Sequence, residues 1–367
     1  MPQPDPYRPD PYRPDARQPG GLQPGGLQPD VHRADGLPES VTIYEVGPRD
    51  GLQNEASVVD VAVKAEFVRR LAGAGLRAIE TTSFVPAAWV PQLADAAELL
   101  ELLGSPPRGA RRPVLVPNTR GLERALAAGA GEIAVFGSAT ETFARRNLNR
   151  TVDESLAMFE PVVTAARARG LAVRGYLSMC FGDPWEGAVP PGQVAAIARR
   201  LVDLGVDELS LGDTIGVATP GHVEALLAEL AAAGIGPGTL AVHFHDTYGQ
   251  ALANTLAALR AGVSTVDSSA GGLGGCPYAR SATGNLATED LVWMLHGLGV
   301  GTGVDLGALV RTSVWMGERL GRPSPSRVVH ALAARLAEDG ATADAGTSAE
   351  PGYGAEPGHR TQPVGRM

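Results

Sequence analysis

The chain has 367 residues, of which 44% are hydrophobic and 19% are charged, so it can bury a large core as a single large α/β domain. Its formal net charge of −9 argues against nucleic acid or an anionic membrane as the main partner, because both attract basic surfaces. Small molecules are the expected partners. No run of eighteen apolar residues and no secretory or transit segment is found, so we expect a cytoplasmic protein that does not cross a membrane.

Both ends of the chain have a composition too poor in apolar residues to fold. Residues 1–38 repeat Pro-Asp and Pro-Gly-Gly units and predict a disordered arm. Residues 339–367, rich in Gly, Ala, Thr, Glu and Pro, predict a disordered tail. The folded domain is therefore expected to span residues 39–338.

Within that span, short apolar runs alternate with Ala/Leu-rich helical patterns. The predicted strands are 41–46, 78–84, 113–117, 132–137, 172–179, 208–212, 240–245 and 264–268. The predicted helices are 57–74, 92–103, 120–128, 152–169, 191–204, 220–233, 249–260 and 286–298. Eight such units predict a parallel sheet closed into a (β/α)₈ TIM barrel, with two further C-terminal helices near 304–319 and 326–338 outside it.

Catalytic groups of this fold lie where strands end and the following loops begin. His243 and His245 end strand seven, and alternate residues of a strand project from one face, so the pair can share a divalent cation. Other polar groups recur at the same end of the predicted barrel: Arg49, Asp50, Glu80, Thr81, Thr82, Ser83, Asp213, Thr214, Asp246, Asp267, Ser268 and Ser269. Charges are expensive to bury, so this recurrence indicates a site.

The two cysteines and the single lysine restrict the chemistry further. Cys180 and Cys276 are too few for a disulfide framework and are expected to be reduced thiols. Cys276 follows a glycine-rich loop, a poor place for a core residue, whereas Cys180 near the end of strand five is expected to be buried. Lys64 lies in a helical pattern, so imine chemistry has almost no candidate.

Five runs in this order resemble the hydroxymethylglutaryl-CoA lyase family, over about residues 40 to 335. They are Gly47-Pro-Arg-Asp-Gly-Leu-Gln-Asn-Glu55, Glu80-Thr-Thr-Ser-Phe84, Ser210-Leu-Gly-Asp-Thr-Ile-Gly216, His243-Phe-His-Asp-Thr-Tyr-Gly-Gln250 and Gly271-Gly-Leu-Gly-Gly-Cys-Pro-Tyr278. The resemblance implies cleavage of (S)-3-hydroxy-3-methylglutaryl-CoA to acetoacetate and acetyl-CoA in leucine degradation. We expect a homodimer, bacterial and cytoplasmic.

The same resemblance implies a metal site made of Asp50, His243, His245 and Asn285. Two imidazoles, one carboxylate and one amide oxygen suit Mg²⁺ or Mn²⁺ better than a thiolate-rich zinc site. The alternative interpretation of the histidine pair is that both are ordinary core residues with satisfied hydrogen bonds.

Arg49 is implied to hold the thioester carbonyl and the enolate that forms there, since a guanidinium keeps its charge. Glu80 is expected to orient Arg49 or the substrate hydroxyl. The base that takes the hydroxyl proton is His243 or Asp213, and Cys276 is the expected acid that protonates the enolate under a closed loop.

Asn54, Ser83 and Thr214 are expected to bind substrate together with Arg49. The chain departs from the family's usual pattern at Ala56 and in the loop after strand five, where Asp183 and Trp185 replace a cysteine and a tyrosine. The Asp183 and Trp185 changes keep open a lyase for a bulkier 3-hydroxy-3-alkylglutaryl-CoA. The barrel and its histidine pair are also compatible with a Claisen-type synthase acting on a 2-oxo acid and with a non-catalytic metal-binding barrel.

Overall fold

Eight parallel strands form one curled sheet in the computed structural model of the chain, which describes residues 35–275 and 284–335. Numbered one to eight along the chain, the strands are Thr42–Glu45, Ala78–Ile79 with Thr82–Ser83, Val114–Leu115, Glu132–Ser138, Ala172–Ser178, Glu208–Asp213, Leu240–Phe244 and Thr265–Ser268. Each of the eight predicted strand regions contains one of them.

The second strand closes the sheet into a barrel. Its first piece, Ala78–Ile79, pairs with strand one, and its second piece, Thr82–Ser83, pairs with strand three. Strand one also pairs with strand eight, so the sheet returns to its starting segment. The predicted TIM barrel is confirmed, and the interruption of strand two falls at Glu80 and Thr81.

Ten helices surround the described sheet. They are α1 (Val61–Gly73), α2 (Ala96–Leu103), α3 (Thr119–Ala127), α4 (Glu141–Leu148), α5 (Val152–Arg167), α6 (Pro191–Leu204), α7 (Pro220–Ala232), α8 (Ala251–Arg260), α9 (Thr288–Gly297) and α10 (Leu306–Leu320), with short 3₁₀ turns at Pro91–Leu93, Pro237–Thr239 and Ala270–Gly272. Residues 327–335 are helical as well. As predicted, α10 lies outside the barrel, where it contacts α1 and α9. No helix of residues 35–275 and 284–335 is long and apolar enough to cross a membrane.

Two elements were missed by the sequence analysis. Helix α4 is short and has few apolar residues, so its sequence does not show the apolar repeat that indicates a helix. Asn149 ends it in the left-handed conformation just before α5 begins. A short antiparallel hairpin pairs Gly182–Asp183 with Gly187–Ala188 after strand five. Strands of only two residues are too short to show an alternating apolar pattern in a sequence.

The apolar core lies mainly between the sheet and the helices. Phe67, Phe159 and Phe244 are fully buried there, and burying a side chain of this size contributes about 1.5–3 kcal/mol. Leu37, next to the expected boundary at residue 38, is also buried in this layer, and the boundary itself stays a prediction. Residues 1–34 of the arm and 336–367 of the tail lie outside the described residues.

Candidate active site

A cavity of about 380 Å³ opens at the carboxyl ends of the strands. One wall is apolar and includes Val85, Trp89 and Phe143. The polar residues that line it are Arg49, Asp50, Gln53, Asn54, Asn147, Tyr176, Ser178, Thr214, His243 and His245. The position matches the face on which TIM barrels carry their chemistry.

A single π-helical turn after strand one, Gly47–Gly51, presents Arg49 and Asp50 to this cavity. The N–H of Gly51 donates to the carbonyl of Val46 at 3.1 Å, which closes the wide turn. π-helical turns are rare and frequently lie at functional sites. Gly47 fits here because a Cβ on it would lie 2.5 Å from Oε1 of the buried Glu45.

The two histidines of strand seven lie side by side, with ring centroids 5.3 Å apart. A potential ligand atom of Asp50 and one of each histidine all lie within 4.8 Å of one another. Asn285 reaches the same place because residues after the glycine-rich loop return to strand seven, where Leu286 donates its N–H to the carbonyl of Phe244 at 3.0 Å. The structure therefore brings together the four residues that the sequence analysis proposed as metal ligands.

The protonation states of this cluster suit a divalent cation. Burial alone would raise the pKa of Asp50, but Arg49 and the two histidines lower it to about 2, so the carboxylate is charged at neutral pH. Burial, and then the charge of His243, lower the pKa of His245 to about 4, so that its imidazole is neutral and able to ligate.

Two buried polar atoms in the cluster have no hydrogen-bond partner among the described residues, Nδ1 of His245 and Oδ1 of Asn285. Such atoms are rare in folded proteins and call for an explanation, such as an ion. The Asn285 amide donates through Nδ2 to Oδ2 of Asp50 at 2.8 Å, so its oxygen remains for another ligand. The donor set fits Mg²⁺ or Mn²⁺.

Arg49 is held from two sides. Its Nε donates to Oε2 of Glu80 and its Nη1 to Oδ1 of Asp50, each at 2.7 Å. Burial lowers the pKa of Arg49, but Glu80 and Asp50 raise it more, so the guanidinium stays charged beside the cavity. Glu80 itself is fully buried and does not line the cavity, which fits a residue that orients Arg49.

Asp213 and Thr214, consecutive in the chain, face different surroundings. Thr214 lines the cavity and accepts a hydrogen bond from the N–H of Met179 at 2.9 Å. The Asp213 carboxylate does not line it and accepts from the N–H groups of Val217 and Ala218, which shapes the loop after strand six. Burial raises the pKa of Asp213 to about 6.

Of the other expected substrate-binding residues, only Asn54 lines the cavity. Its Nδ2 donates to the carbonyl of Gly275 at 3.1 Å, next to the glycine-rich loop. The Ser83 hydroxyl accepts from the N–H of Val85 at 3.2 Å and serves a local turn. Cys276 lies outside the described residues, and the expected burial of Cys180 is confirmed: its Sγ lies 3.0 Å from the carbonyl of Leu177, and burial raises the pKa of its thiol.

Two residues near the site, Arg174 and Tyr176, were missed by the sequence analysis, whereas Asp267 was among the strand-end polar groups that it named. The Tyr176 hydroxyl donates to Glu80 at 3.0 Å and its ring faces Arg49, while Arg174 and Asp267 form a buried ion pair at 2.6 Å. Arg174 and Tyr176 could have been suspected, because a charged and a polar residue in an otherwise apolar strand are costly to bury.

Comparison with known proteins shows the family to which the chain belongs. Residues 40–315 match the model of the family described as HMGL-like. The mitochondrial hydroxymethylglutaryl-CoA lyase of Arabidopsis thaliana is 51% identical over 306 residues, 83% of this chain and 65% of that protein. The cytoplasmic 3-hydroxy-3-methylglutaryl-CoA lyase of Rattus norvegicus is 50% identical over 302 residues, 82% of this chain and 88% of that protein.

A solved structure agrees with this assignment. The hydroxymethylglutaryl-CoA lyase of Pseudomonas aeruginosa superposes with a TM-score of 0.79 at 48% identity, and the match covers 82% of this chain and 99% of that one. The family match and these identities span the barrel and the strand-end motifs around the cavity. The chain therefore belongs to the HMGL-like family, together with the hydroxymethylglutaryl-CoA lyases of Arabidopsis, rat and Pseudomonas.

Proposed function

We propose that this protein is a carbon–carbon lyase that cleaves (S)-3-hydroxy-3-methylglutaryl-CoA to acetoacetate and acetyl-CoA. The observation that carries the proposal is the convergence of Arg49, Asp50, His243 and His245 on one cavity at the carboxyl end of the barrel. The relatives that match it at about half identity carry the name of this activity.

Asp50, His243, His245 and Asn285 would hold the divalent metal ion, which we propose to be Mg²⁺ or Mn²⁺. When bound, such an ion supplies Lewis acidity that lowers the pKa of a coordinated hydroxyl. The ionised Asp50 and the neutral His245 are in the protonation states that this role requires.

Arg49 stabilises the negative charge that grows on the thioester oxygen as the C2–C3 bond breaks. Its guanidinium is fixed by Glu80 and Asp50 before substrate arrives, so little reorganisation is needed during the reaction. The Tyr176 ring, 5.4 Å from the Arg49 guanidinium carbon, supports the same orientation.

Two proton transfers complete the reaction. A base removes the proton of the C3 hydroxyl, and we propose His243 or Asp213 for it. His243 lines the cavity, whereas the Asp213 carboxylate lies behind its wall, so Asp213 would receive the proton through an intervening water molecule. We propose that Cys276 returns a proton to the acetyl-CoA enolate, since Asn54 and Gly275 bring the start of its loop to the cavity.

A lyase for a bulkier 3-hydroxy-3-alkylglutaryl-CoA is the second candidate. Asp183, one of the family departures, accepts a hydrogen bond from Thr140 at 2.6 Å, immediately before α4. Helix α4 contributes Phe143 and Asn147 to the cavity, so the altered loop can change the shape of the acyl pocket. Rates on substrates with methyl, ethyl and propyl groups at C3 distinguish the two.

We also propose a cytoplasmic enzyme, bacterial in origin, that acts as a homodimer. The rat relative that carries the word cytoplasmic in its name supports the location.

The decisive experiment is a coupled assay for acetoacetate release from HMG-CoA by the purified chain. Activity that is lost in EDTA and restored by Mg²⁺ or Mn²⁺ supports the proposal, with Asp50→Ala as the inactive control. Release of neither acetoacetate nor acetyl-CoA from HMG-CoA, in the presence of either metal, would contradict it.

A further inference from the structure

Asp267 lies at the centre of a buried chain of polar contacts beneath the cavity. Its Oδ1 pairs with Nη2 of Arg174 at 2.6 Å, and its Oδ2 accepts from the Ser210 hydroxyl at 2.8 Å. The same Oδ2 lies 3.2 Å from Nδ1 of His243. The side chains of Asp267 and Arg174 are entirely buried.

Backbone register fixes the position of this carboxylate. Strands seven and eight pair so that His243 lies directly beside Asp267. Ser210 and Arg174 come from strands six and five, the next two strands around the barrel. The three residues that contact the carboxylate therefore lie on strands and not on loops.

The contact decides which nitrogen of His243 carries a proton. An ionised carboxylate only accepts hydrogen bonds, so Nδ1 must be the donor, which leaves Nε2 with its lone pair. A carboxylate behind a ligating histidine commonly fixes its tautomer and its ring orientation.

Arg174 keeps Asp267 ionised. Its buried guanidinium lies 2.6 Å from Oδ1 of Asp267, and this charge together with the hydrogen bond from Ser210 stabilises the ionised form of the carboxylate. The guanidinium carbon of Arg174 lies 3.6 Å from the centre of the Tyr44 ring, so a cation–π contact fixes the arginine in the barrel interior.

We infer that Asp267, held by Arg174, is a positioning residue that fixes the Nδ1–H tautomer of His243 and aims its Nε2 at the metal. This inference rests on the proposed role of His243 as a metal ligand, and it leaves Asp213 as the proposed base, because His243 then has no free lone pair. It gives a function to the buried ion pair of Arg174 and Asp267, neither of which lines the cavity.

The test is the Mn²⁺ dissociation constant of Asp267→Asn, measured by calorimetry and by EPR on the full chain. The asparagine keeps the volume but loses the charge, and loss of such a partner weakens metal affinity on the order of 10–100-fold. Asp95→Asn is the matched control, because it weakens a partly buried pair with Lys64 in the outer helical layer. Its Mn²⁺ affinity should match that of the wild type even if its melting temperature falls.

A second measurement does not depend on the folding of a variant. Long-range ¹⁵N NMR of histidine-labelled wild type should show the Nδ1–H tautomer for His243, identified by loss of its signals in His243→Gln. An Nε2–H tautomer, or unchanged Mn²⁺ affinity in folded Asp267→Asn, overturns the inference. If the wild type binds no Mn²⁺, or if Asp50→Ala binds it equally well, the metal site itself is wrong and the inference fails with it.

Discussion

One carboxylate oxygen of Glu80 lies 2.7 Å from both Nε and Nη2 of Arg49. The Glu80 side chain is fully buried, and its oxygen also accepts the hydroxyl of Tyr176 at 3.0 Å. This contact occupies one edge of the guanidinium, while Nη1 on the other side donates to Asp50. The arginine is thus fixed in one orientation between a buried acid and a proposed metal ligand.

Glu80→Gln should therefore lower kcat more than it raises KM. The glutamine amide oxygen can take the place of Oε2 but carries no charge, so it holds the Arg49 guanidinium more weakly, and a small misplacement of a catalytic group can cost on the order of 10²-fold in rate. Steady-state kinetics decide this. Glu66→Gln, which removes an exposed pair with Arg70, is the control and should keep wild-type kinetics. A normal kcat in Glu80→Gln would mean that Arg49 does not depend on this contact.

Arg49→Gln should depress kcat by about 10²–10³ with a smaller change in KM, because the charge that it stabilises develops as the bond breaks. Arg49→Lys keeps the charge but lacks the planar fork that Glu80 and Asp50 hold, so it should recover only part of the rate. A variant impaired in KM alone would make Arg49 a simple binding residue.

Asp50→Ala and His243→Ala should lose the bound divalent ion and most turnover while the barrel stays folded, because each removes a ligand without opening a large core cavity. Metal analysis and circular dichroism of the purified variants measure both effects. Asp203→Ala, on the exposed face of α6, should keep metal and rate. Full metal occupancy with a normal rate in either site variant would remove these residues from the ligand set.

Cys276 and Cys180 should differ in reactivity. Cys180 is buried and its pKa is raised, so alkylating reagents should not modify it, whereas Cys276 should react and be protected by HMG-CoA. Cys276→Ser should bind metal and substrate but turn over slowly, because a hydroxyl is a poor proton donor near neutral pH, and Cys180→Ser should stay active. Peptide mass spectrometry that places inactivation at Cys180 would contradict the assignment.

The stability of the fold should fall as pH rises from about 5 to about 8. Burial raises the pKa of Glu289 to about 8, although the Ser313 hydroxyl and the N–H of Gly271 donate to its carboxylate. Between its usual pKa near 4.3 and this value, the unfolded chain is ionised while the folded chain holds the proton. Raising the pH therefore favours the unfolded state.

Glu289→Gln should reduce this decline in melting temperature without abolishing it, because burial also raises the pKa of Glu45 to about 7. Thermal melts of both proteins at pH 5, 6, 7 and 8 measure the difference, which should be on the order of several degrees. Equal slopes for the two proteins would mean that Glu289 is ionised in the folded state throughout this range.

Much of this protein is determined by local sequence pattern. The alternation of apolar strands and helices predicted the barrel, and the alternation within strand seven placed His243 and His245 on one face. The strand-end positions of Arg49 and Asp50 directed both to the cavity. These predictions succeeded because strands and helices repeat every two and every 3.6 residues, and such a repeat is visible in the sequence. In a barrel of parallel strands, all strands also end at the same face, so residues at strand ends meet there.

Other features depend on contacts between residues far apart in sequence. Only the tertiary structure separates Asp213 from the cavity wall while leaving Thr214 in it, and buries Arg174 against Asp267 across 93 positions of chain. No local period encodes such pairs. Such residues meet only when the sheet closes into a barrel. Its interior excludes water, and because an unpaired buried charge is costly there, each buried charge requires a partner.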